Sequence, residues 1–215
     1  MIMGVQEMLY GSTLVKCCSE CSGHIEEQSI LSGNTFGATY WTDGKMEAPM
    51  LPAVPRLVKC PHCMFLLWIA ELEVIDEYEG THSRDICSKA KPFLKPAFGD
   101  YMSFLESVSL APQAERYIRI TAWRKGNDKR RRSQIQSSLS RKEIGNIKVL
   151  EGLIDLSIGE DYLMAAEIKR ELGLFSESEE LLKGITDKQL TLAAKTVESL
   201  AQRKDQYVRQ IVYEG

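Results

Sequence analysis

The chain has 215 residues, of which 44% are hydrophobic and 27% charged, so it can bury one large core or two small ones. Its formal net charge of −3 and pI near 5.8 argue against a protein that binds polyanions over its whole surface. The longest apolar run, residues 64–70, is too short to cross a membrane, and the first residues lack a signal-peptide pattern. We therefore expect a cytoplasmic protein.

Two short cysteine pairs dominate the first third of the chain. Cys18 and Cys21 enclose two residues, as do Cys60 and Cys63 in a Cys-Pro-His-Cys sequence. Four thiolates on two tight turns supply the ligands of a tetrahedral zinc ion, and clustered cysteines in a reducing compartment favour metal over disulfides. We therefore predict one structural zinc ion, bound by these four side chains.

Neighbouring residues offer alternative ligands. Cys17 also has a usable spacing to Cys21. We prefer Cys18, because Gly23 then follows its pair closely, where a positive φ would turn backbone N–H groups toward sulfur. His24 and His62 could each replace a thiol, but four cysteines make a histidine ligand unnecessary.

Two further residues stand apart from the cysteine pairs. Cys87 has no paired cysteine near it in the sequence and is predicted to be a buried or free thiol. His82 is predicted to be an exposed loop residue rather than a general base.

The segment between the pairs, residues 22–59, carries turn signals rather than helical periodicity. Residues 35–41 predict a strand that enters an Asp43-Gly44 hairpin turn, which makes this region a β-ribbon. The prolines between residues 49 and 55 predict an extended stretch outside a central strand. After the second pair, residues 64–69 are bulky and apolar enough for a strand.

The pattern becomes helical after residue 91. Residues 91–96, which contain two prolines, are predicted to be a linker. Asp100 is the expected cap of a first helix, and Pro112 suits the first turn of a second helix. The sequence Gly126-Asn127-Asp128 predicts a break or cap between two helices.

A strong apolar stripe at residues 144–158 predicts another helix, which Gly159 ends. The following block, residues 160–185, predicts two helices joined by a tight turn at Gly173. Asp187 is the expected cap of a further helix that covers this hairpin.

The helical hairpin resembles a tetratricopeptide repeat. The matching positions are a small residue in the first helix, Ala166, and the glycine, aromatic and acidic residues of the turn, Gly173, Phe175 and Glu177. The pattern departs from the repeat at Ser178, where alanine is usual. The resemblance covers about 25 residues and implies a short helical binding surface.

The most charged stretch runs from residue 124 to residue 132 around Asp128. It predicts either a solvated helix junction or a site for a phosphate-bearing partner. The acidic chain and the absence of serial aromatic residues favour the junction. The candidate polyanion-binding residues are Arg124, Lys125, Lys129, Arg130, Arg131 and Arg132.

As a whole, the chain resembles uncharacterised bacterial proteins that join a zinc-ribbon-like domain to tetratricopeptide-like helices. The likeness rests on the cysteine pairs, on residues 40–45, on Trp123 with residues 127–128, and on residues 167–175. It implies an architecture and no activity.

We therefore predict an α+β fold with a small zinc-ribbon-like β domain at residues 1–90. A helical, tetratricopeptide-like domain at residues 91–215 follows it, with the hairpin near residues 160–185.

The predicted function is that of a zinc-binding protein without enzymatic activity, an adaptor that binds another protein. One alternative is nucleic-acid binding through the ribbon and residues 124–132. Another is thiol-redox chemistry, since Cys-Pro-His-Cys resembles the active site of oxidising thioredoxin-like proteins. A strand-like run follows Cys63 where those sites have a helix, which counts against it. A zinc hydrolase would need an open coordination position.

Overall fold

The computed structural model describes residues 8–80, 89–131 and 137–212. The chain has the predicted α+β fold, with small β-sheets in its N-terminal region and helices in its C-terminal region.

The chain divides into two compact units, which are described separately. The first unit consists of Met1–Ala38 and Glu47–Asp100, and the second consists of Thr39–Met46 and Tyr101–Gly215. The second unit is therefore discontinuous in sequence, because it includes a short segment from the middle of the first.

The strands are short, apart from two of nine residues each at the start of the chain. In chain order they are β1 (Leu9–Cys17), β2 (His24–Ser32), β3 (Thr39–Trp41), β4 (Met46–Glu47), β5 (Leu57–Lys59), β6 (Leu66–Trp68), β7 (Val74–Tyr78), β8 (Lys91–Pro92) and β9 (Gln210–Ile211). They form a four-stranded sheet in the order β7-β1-β2-β8, a three-stranded sheet β4-β3-β9 and a two-stranded sheet β5-β6.

One core cluster of the first unit contains two cysteines. Cys18 and Cys60 are buried in one cluster with Ile25, Leu67 and Leu72. The two nine-residue strands pair antiparallel, so that β1 ends at the first cysteine pair and β2 begins just after it. The sheet therefore holds the first cysteine pair against this core.

The segment 91–96 is part of the first unit's fold, and the prediction of a linker there was wrong. Lys91 pairs with Ile25 as β8 joins β2 in parallel. Leu94 and Lys59 exchange two backbone hydrogen bonds of 2.9 Å. Phe93 packs against the cysteine-containing core, which is the apolar contact that the flanking prolines and lysines conceal in the sequence.

The helices lie after residue 97. They are α1 (Phe98–Ser107), α2 (Pro112–Arg131), α3 (Arg141–Glu151), α4 (Gly159–Glu171), α5 (Phe175–Leu182) and α6 (Thr191–Gln202). As predicted, Pro112 begins α2. The prediction that Asp100 precedes α1 as its cap was wrong, because Asp100 lies within the first turn of the helix. Its carboxylate nevertheless accepts a hydrogen bond of 2.8 Å from the backbone N–H of Ala97.

The predicted helix break at residues 126–128 was wrong, because α2 continues through them to Arg131. Gly126 serves close packing instead. A Cβ atom at this position would lie 2.8 Å from Oε1 of Glu143, which is on α3. The glycine therefore allows the two helices to approach where Glu143 is buried.

The predicted end of the third helix was also wrong. A capping box formed by Ser140 and Glu143 starts α3, which ends at Glu151, whereas Gly159 begins α4. The apolar stripe continues beyond the helix because Ile154 still packs against the core of Trp123 and its neighbours. The apolar spacing therefore reports the burial of Ile154, whereas the helix itself ends at Glu151, about two turns before the predicted end at Gly159.

The predicted pair of helices is present as α4 and α5. Gly173 lies between them with φ of +80°, a conformation that favours glycine. Ser178 of α5 is fully buried, and its hydroxyl donates a 2.8 Å hydrogen bond to the carbonyl of Ala166 on α4. The hydroxyl therefore joins the two helices where an alanine would only fill space.

The predicted Asp-Gly hairpin is present and belongs to the second unit. Gly44 adopts φ of +72° in the turn between β3 and β4, and the N–H of Trp41 donates to the carbonyl of Lys45. Strand β9 pairs with β3 through Tyr40 and Ile211. The hairpin therefore joins the sheet formed with the end of the chain.

Asn127 of α2 connects three buried ionisable side chains in the second unit. Its amide nitrogen donates to Asp43 at 3.1 Å and to Glu171 at 2.9 Å, and its amide oxygen accepts from Arg130 at 3.2 Å. Trp123 donates to the other oxygen of Glu171 at 2.9 Å. The amide nitrogen and the amide oxygen of Asn127 therefore both have buried partners, as buried polar groups require.

Glu143 and Arg130 form a buried two-bond ion pair, with both carboxylate oxygens 3.0 Å from guanidinium nitrogens. Burial alone would raise the pKa of Glu143, but its hydrogen bonds from Arg130 and Ser140 lower it to about 2.

Replacing Glu143 by Gln leaves a buried guanidinium unpaired, so we expect the unfolding free energy to fall by about 3 kcal/mol in urea titrations at pH 7.

The same variant changes the acid limb of the stability curve. A lowered carboxyl pKa contributes stability that is complete above pH 4.5 and lost as pH falls toward about 2. Glu143→Gln should therefore lose less stability than the unchanged chain over this range. Lys142→Gln, at an exposed position of the same helix, is the control. Equal acid limbs in Glu143→Gln and the unchanged chain would contradict the assignment.

Glu171 generates an opposite pH dependence. Its burial raises its pKa to about 8, with further contributions from the carboxylates of Glu167 and Asp43. The folded chain then keeps a proton that the unfolded chain releases above pH 4.5. We expect the unfolding free energy to decrease as pH rises from 4.5 to about 8, and Glu171→Gln to flatten that decrease in urea titrations. The slope of the unfolding free energy against pH is compared, and not its value at one pH, because Glu171→Gln also loses a hydrogen bond at every pH.

Candidate metal centre

The four cysteines of the two predicted pairs lie together in the first unit. Cys18 and Cys21 come from the connection between β1 and β2, and Cys60 and Cys63 come from the connection between β5 and β6. All four sulfur atoms lie within 4.8 Å of one another. This arrangement can hold a metal ion.

The two connections have the same backbone geometry. The N–H of Cys18 donates to the carbonyl of Gly23 and that of Cys60 to the carbonyl of Phe65, at 2.9 and 2.8 Å. In the reverse direction, Ser22 donates to Cys18 and Met64 to Cys60, at 2.9 and 3.0 Å. Each cysteine pair thus closes a tight turn, called a knuckle below, that directs two sulfurs to one side.

The residue with positive φ is the one directly after each pair. Ser22 has φ of 55° and Met64 has φ of 65°. The expectation that Gly23 would take this role was wrong. Gly23 is needed for space, because a Cβ atom there would lie 2.6 Å from Cδ2 of His62.

The sulfur distances suit tetrahedral coordination. The separations between Cys18 and Cys63 and between Cys21 and Cys60 are both 3.8 Å. A tetrahedron with metal–sulfur bonds of about 2.3 Å has edges of about 3.8 Å. A disulfide would need a separation of about 2.05 Å, so these contacts are not disulfide bonds.

Burial and hydrogen bonding differ among the four thiols. Cys18 and Cys60 are buried, whereas Cys21 and Cys63 are exposed. Burial raises the pKa of the Cys18 thiol. Burial acts in the same direction on Cys60, but backbone N–H groups of Cys63 and His62 outweigh it and hold the pKa of this thiol below its usual value. Such N–H groups stabilise thiolate, the form that binds metal.

The alternative ligands lie outside the group. Cys17 is not part of the four-sulfur cluster, and its thiol faces the carbonyl of Cys18 at 3.9 Å. A ring nitrogen of His62 contacts the carbonyl of His24 at 2.9 Å. Cys87 and His82 lie outside the described residues.

The arginines of the basic stretch are largely internal to the second unit. The side chains of Arg130 and Arg131 are 2% and 0% exposed, and they form ion pairs with Glu143 and Asp43, respectively. Arg131 also lies over the ring of Trp41, 5.5 Å from its centroid. These two cations are therefore not available to a polyanion.

The remaining basic residues of the stretch also have partners. Arg124 donates a 3.1 Å hydrogen bond to the carbonyl of Asp43. Lys125 and Lys129 are more exposed, and they lie 3.4 Å from Asp128 and 3.2 Å from Glu143. Arg132 lies outside the described residues.

Two features of the centre were missed in the sequence. The positive φ of Ser22 and Met64 was detectable, because each occupies the same position after a Cys-x-x-Cys pair. The contact of Phe93 with the sulfur-containing core had no local signal, since it joins residues far apart in the chain.

Comparisons with known protein families, with curated proteins and with solved structures found no match. Among the described residues, no helix combines the length and the apolar character that a membrane span requires.

A substitution at Gly23 tests the contact between the two knuckles. Alanine there would displace the His62 ring, so we expect Gly23→Ala to lower the unfolding free energy by about 1 kcal/mol in urea titrations. Gly99→Ala is the matched control, because an added Cβ atom meets nothing within 4 Å there. Adding His62→Ala should restore much of the lost stability. No rescue in the double variant would show that the ring is not the obstacle.

Proposed function

We propose that this chain is a zinc-binding, non-enzymatic protein-interaction module, in which one zinc ion fixes the N-terminal fold. Its ligands are Cys18, Cys21, Cys60 and Cys63. The observation that carries the proposal is the convergence of four sulfurs at separations that match a tetrahedral zinc–thiolate site.

A structural role is favoured over a catalytic one. Four protein thiolates fill the tetrahedron of a zinc ion, whereas catalytic zinc keeps a position for water or substrate. Two of the sulfurs also belong to the apolar core of the first unit. A metal bound there would add its binding free energy to folding, which a small core needs.

A role in protein binding is supported by the helical unit. Helices α4 and α5 form a hairpin, and α6 packs against it through Val197. The small residue Ala166 and the glycine turn at Gly173 resemble those of a tetratricopeptide repeat. Large apolar side chains remain exposed beside this hairpin at Leu156, Ile158 and Leu174. Such side chains can supply the apolar anchors that helical repeats use to hold a protein segment.

Metal content tests the zinc site directly. We expect protein purified without chelator to contain one equivalent of zinc with four sulfur neighbours in X-ray absorption. Cys18→Ser should lose the metal and destabilise the first unit, because structural zinc contributes folding free energy. Cys17→Ser is the matched control, since it alters the adjacent residue outside the cluster.

Two other results would contradict the proposal. A nitrogen or water ligand in place of one sulfur would favour a catalytic site. If Cys17→Ser loses the metal and Cys18→Ser retains it, the ligand is Cys17 and not Cys18.

A further inference from the structure

We propose that the first unit carries a docking surface for an acidic peptide that also contains apolar side chains. The proposal deepens the proposed function, on which it rests, by assigning the chemistry of the partner. The surface, called the lysine strip below, consists of Lys89, Lys91, Leu94 and Lys95 with Met64 and Phe65 of the second knuckle.

The backbone of the lysine strip is fixed across both knuckles. Lys91 pairs with Ile25 on β2, just after the first knuckle, and Leu94 pairs with Lys59 on β5, just before the second. Phe93 lies between these two contacts and packs into the cysteine-containing core. A partner would therefore meet a preorganised surface and would not have to order it.

The second knuckle lies next to this segment. Lys59 has Leu94 on one side and Leu66, which follows Phe65, on the other. Adjacent strands are about 4.8 Å apart, so the backbone at Leu94 and the backbone at Leu66 are separated by about 10 Å. A short extended peptide can span this distance.

The charges of the lysine strip are uncompensated. Lys89, Lys91 and Lys95 are exposed, and none of them forms an ion pair in the part of the chain that the structure describes. Lys16 and Lys59 of the same unit, by contrast, bind Glu27 and Asp100 at 2.8 Å. The strip thus offers three cations to an external carboxylate.

Apolar side chains accompany these cations. Met64, Phe65 and Leu94 are 52%, 48% and 41% exposed. Met64 is held by its N–H, which donates to the carbonyl of Cys60 at 3.0 Å. Apolar side chains on a rigid turn, bordered by charge, are typical of a protein-binding site.

The surroundings favour a peptide over a nucleic acid. The described residues of the first unit contain ten carboxylates and six basic side chains, and five of the carboxylates lie between Glu71 and Glu79. A long polyanion would meet this negative charge, whereas a short acidic peptide can stay on the strip, because β7 and β8 lie at opposite edges of the four-stranded sheet. Phe65 is the one aromatic side chain of the strip, while single-stranded nucleic acids bind serial aromatic platforms.

The test is fluorescence anisotropy with two labelled probes on the full chain. One probe is a short peptide in which aspartate and glutamate alternate with leucine and serine, and the other is oligothymidylate of similar length. We expect the peptide to bind more tightly than the oligonucleotide. The double variant Lys91→Glu/Lys95→Glu should weaken peptide binding by about tenfold or more, and Phe65→Ser by about tenfold. Lys142→Glu, an exposed reversal in the second unit, should leave binding unchanged.

Zinc is measured on every sample, which separates this inference from the proposed function. If zinc-loaded protein does not bind the peptide, or binds oligothymidylate more tightly, the lysine strip is not a site for an acidic peptide. The zinc proposal is unaffected by that result. Peptide binding without zinc overturns the zinc proposal and leaves the strip. If Lys91→Glu/Lys95→Glu loses its zinc, peptide binding is judged from Phe65→Ser instead. Unchanged peptide binding by Phe65→Ser would then contradict the lysine strip as the docking surface.

Discussion

The two knuckles of the first unit bring four sulfur atoms to one point, within 4.8 Å of one another. Cys18 and Cys60 are also core residues, packed in one cluster with Ile25, Leu67 and Leu72, so the site shares two side chains with the core. Phe93 packs against the same cluster. The four-sulfur group is therefore connected, through Cys18 and Cys60, to the packing of both knuckles and of the segment that contains Phe93.

The second unit uses buried charge where the first uses sulfur. Arg130, Arg131 and Arg170 are almost fully buried, and each has a carboxylate partner, Glu143, Asp43 and Glu167 respectively. Arg170 also donates a hydrogen bond of 3.0 Å to the carbonyl of Tyr207 and thereby holds the segment that leads into β9. Buried ion pairs add less to stability than apolar packing of the same volume, but they tolerate few alternative arrangements. The basic stretch therefore contributes to the specificity of the fold.

Local signals in the sequence predicted much of this structure. The cysteine spacings, the Asp43-Gly44 turn, the start of α2 at Pro112 and the turn at Gly173 all depend on neighbouring residues. The errors came from contacts between distant residues. Gly126 resembles a helix break but allows Glu143 to approach, and residues 91–96 resemble a linker but contain Phe93. A sequence pattern shows that a residue is unusual, whereas its neighbours in space determine the reason.

The position of residues 39–46 in the chain has a consequence for folding. This hairpin belongs to the second unit, and Thr42 accepts a hydrogen bond from the backbone of Arg209, 167 residues later. On the ribosome the hairpin emerges early, yet its partner strand β9 and Arg209 are made only near the end of the described chain. The second unit therefore cannot be completed during synthesis of its own helices alone. Such high contact order predicts a slow final step, in which the hairpin joins helices that already exist.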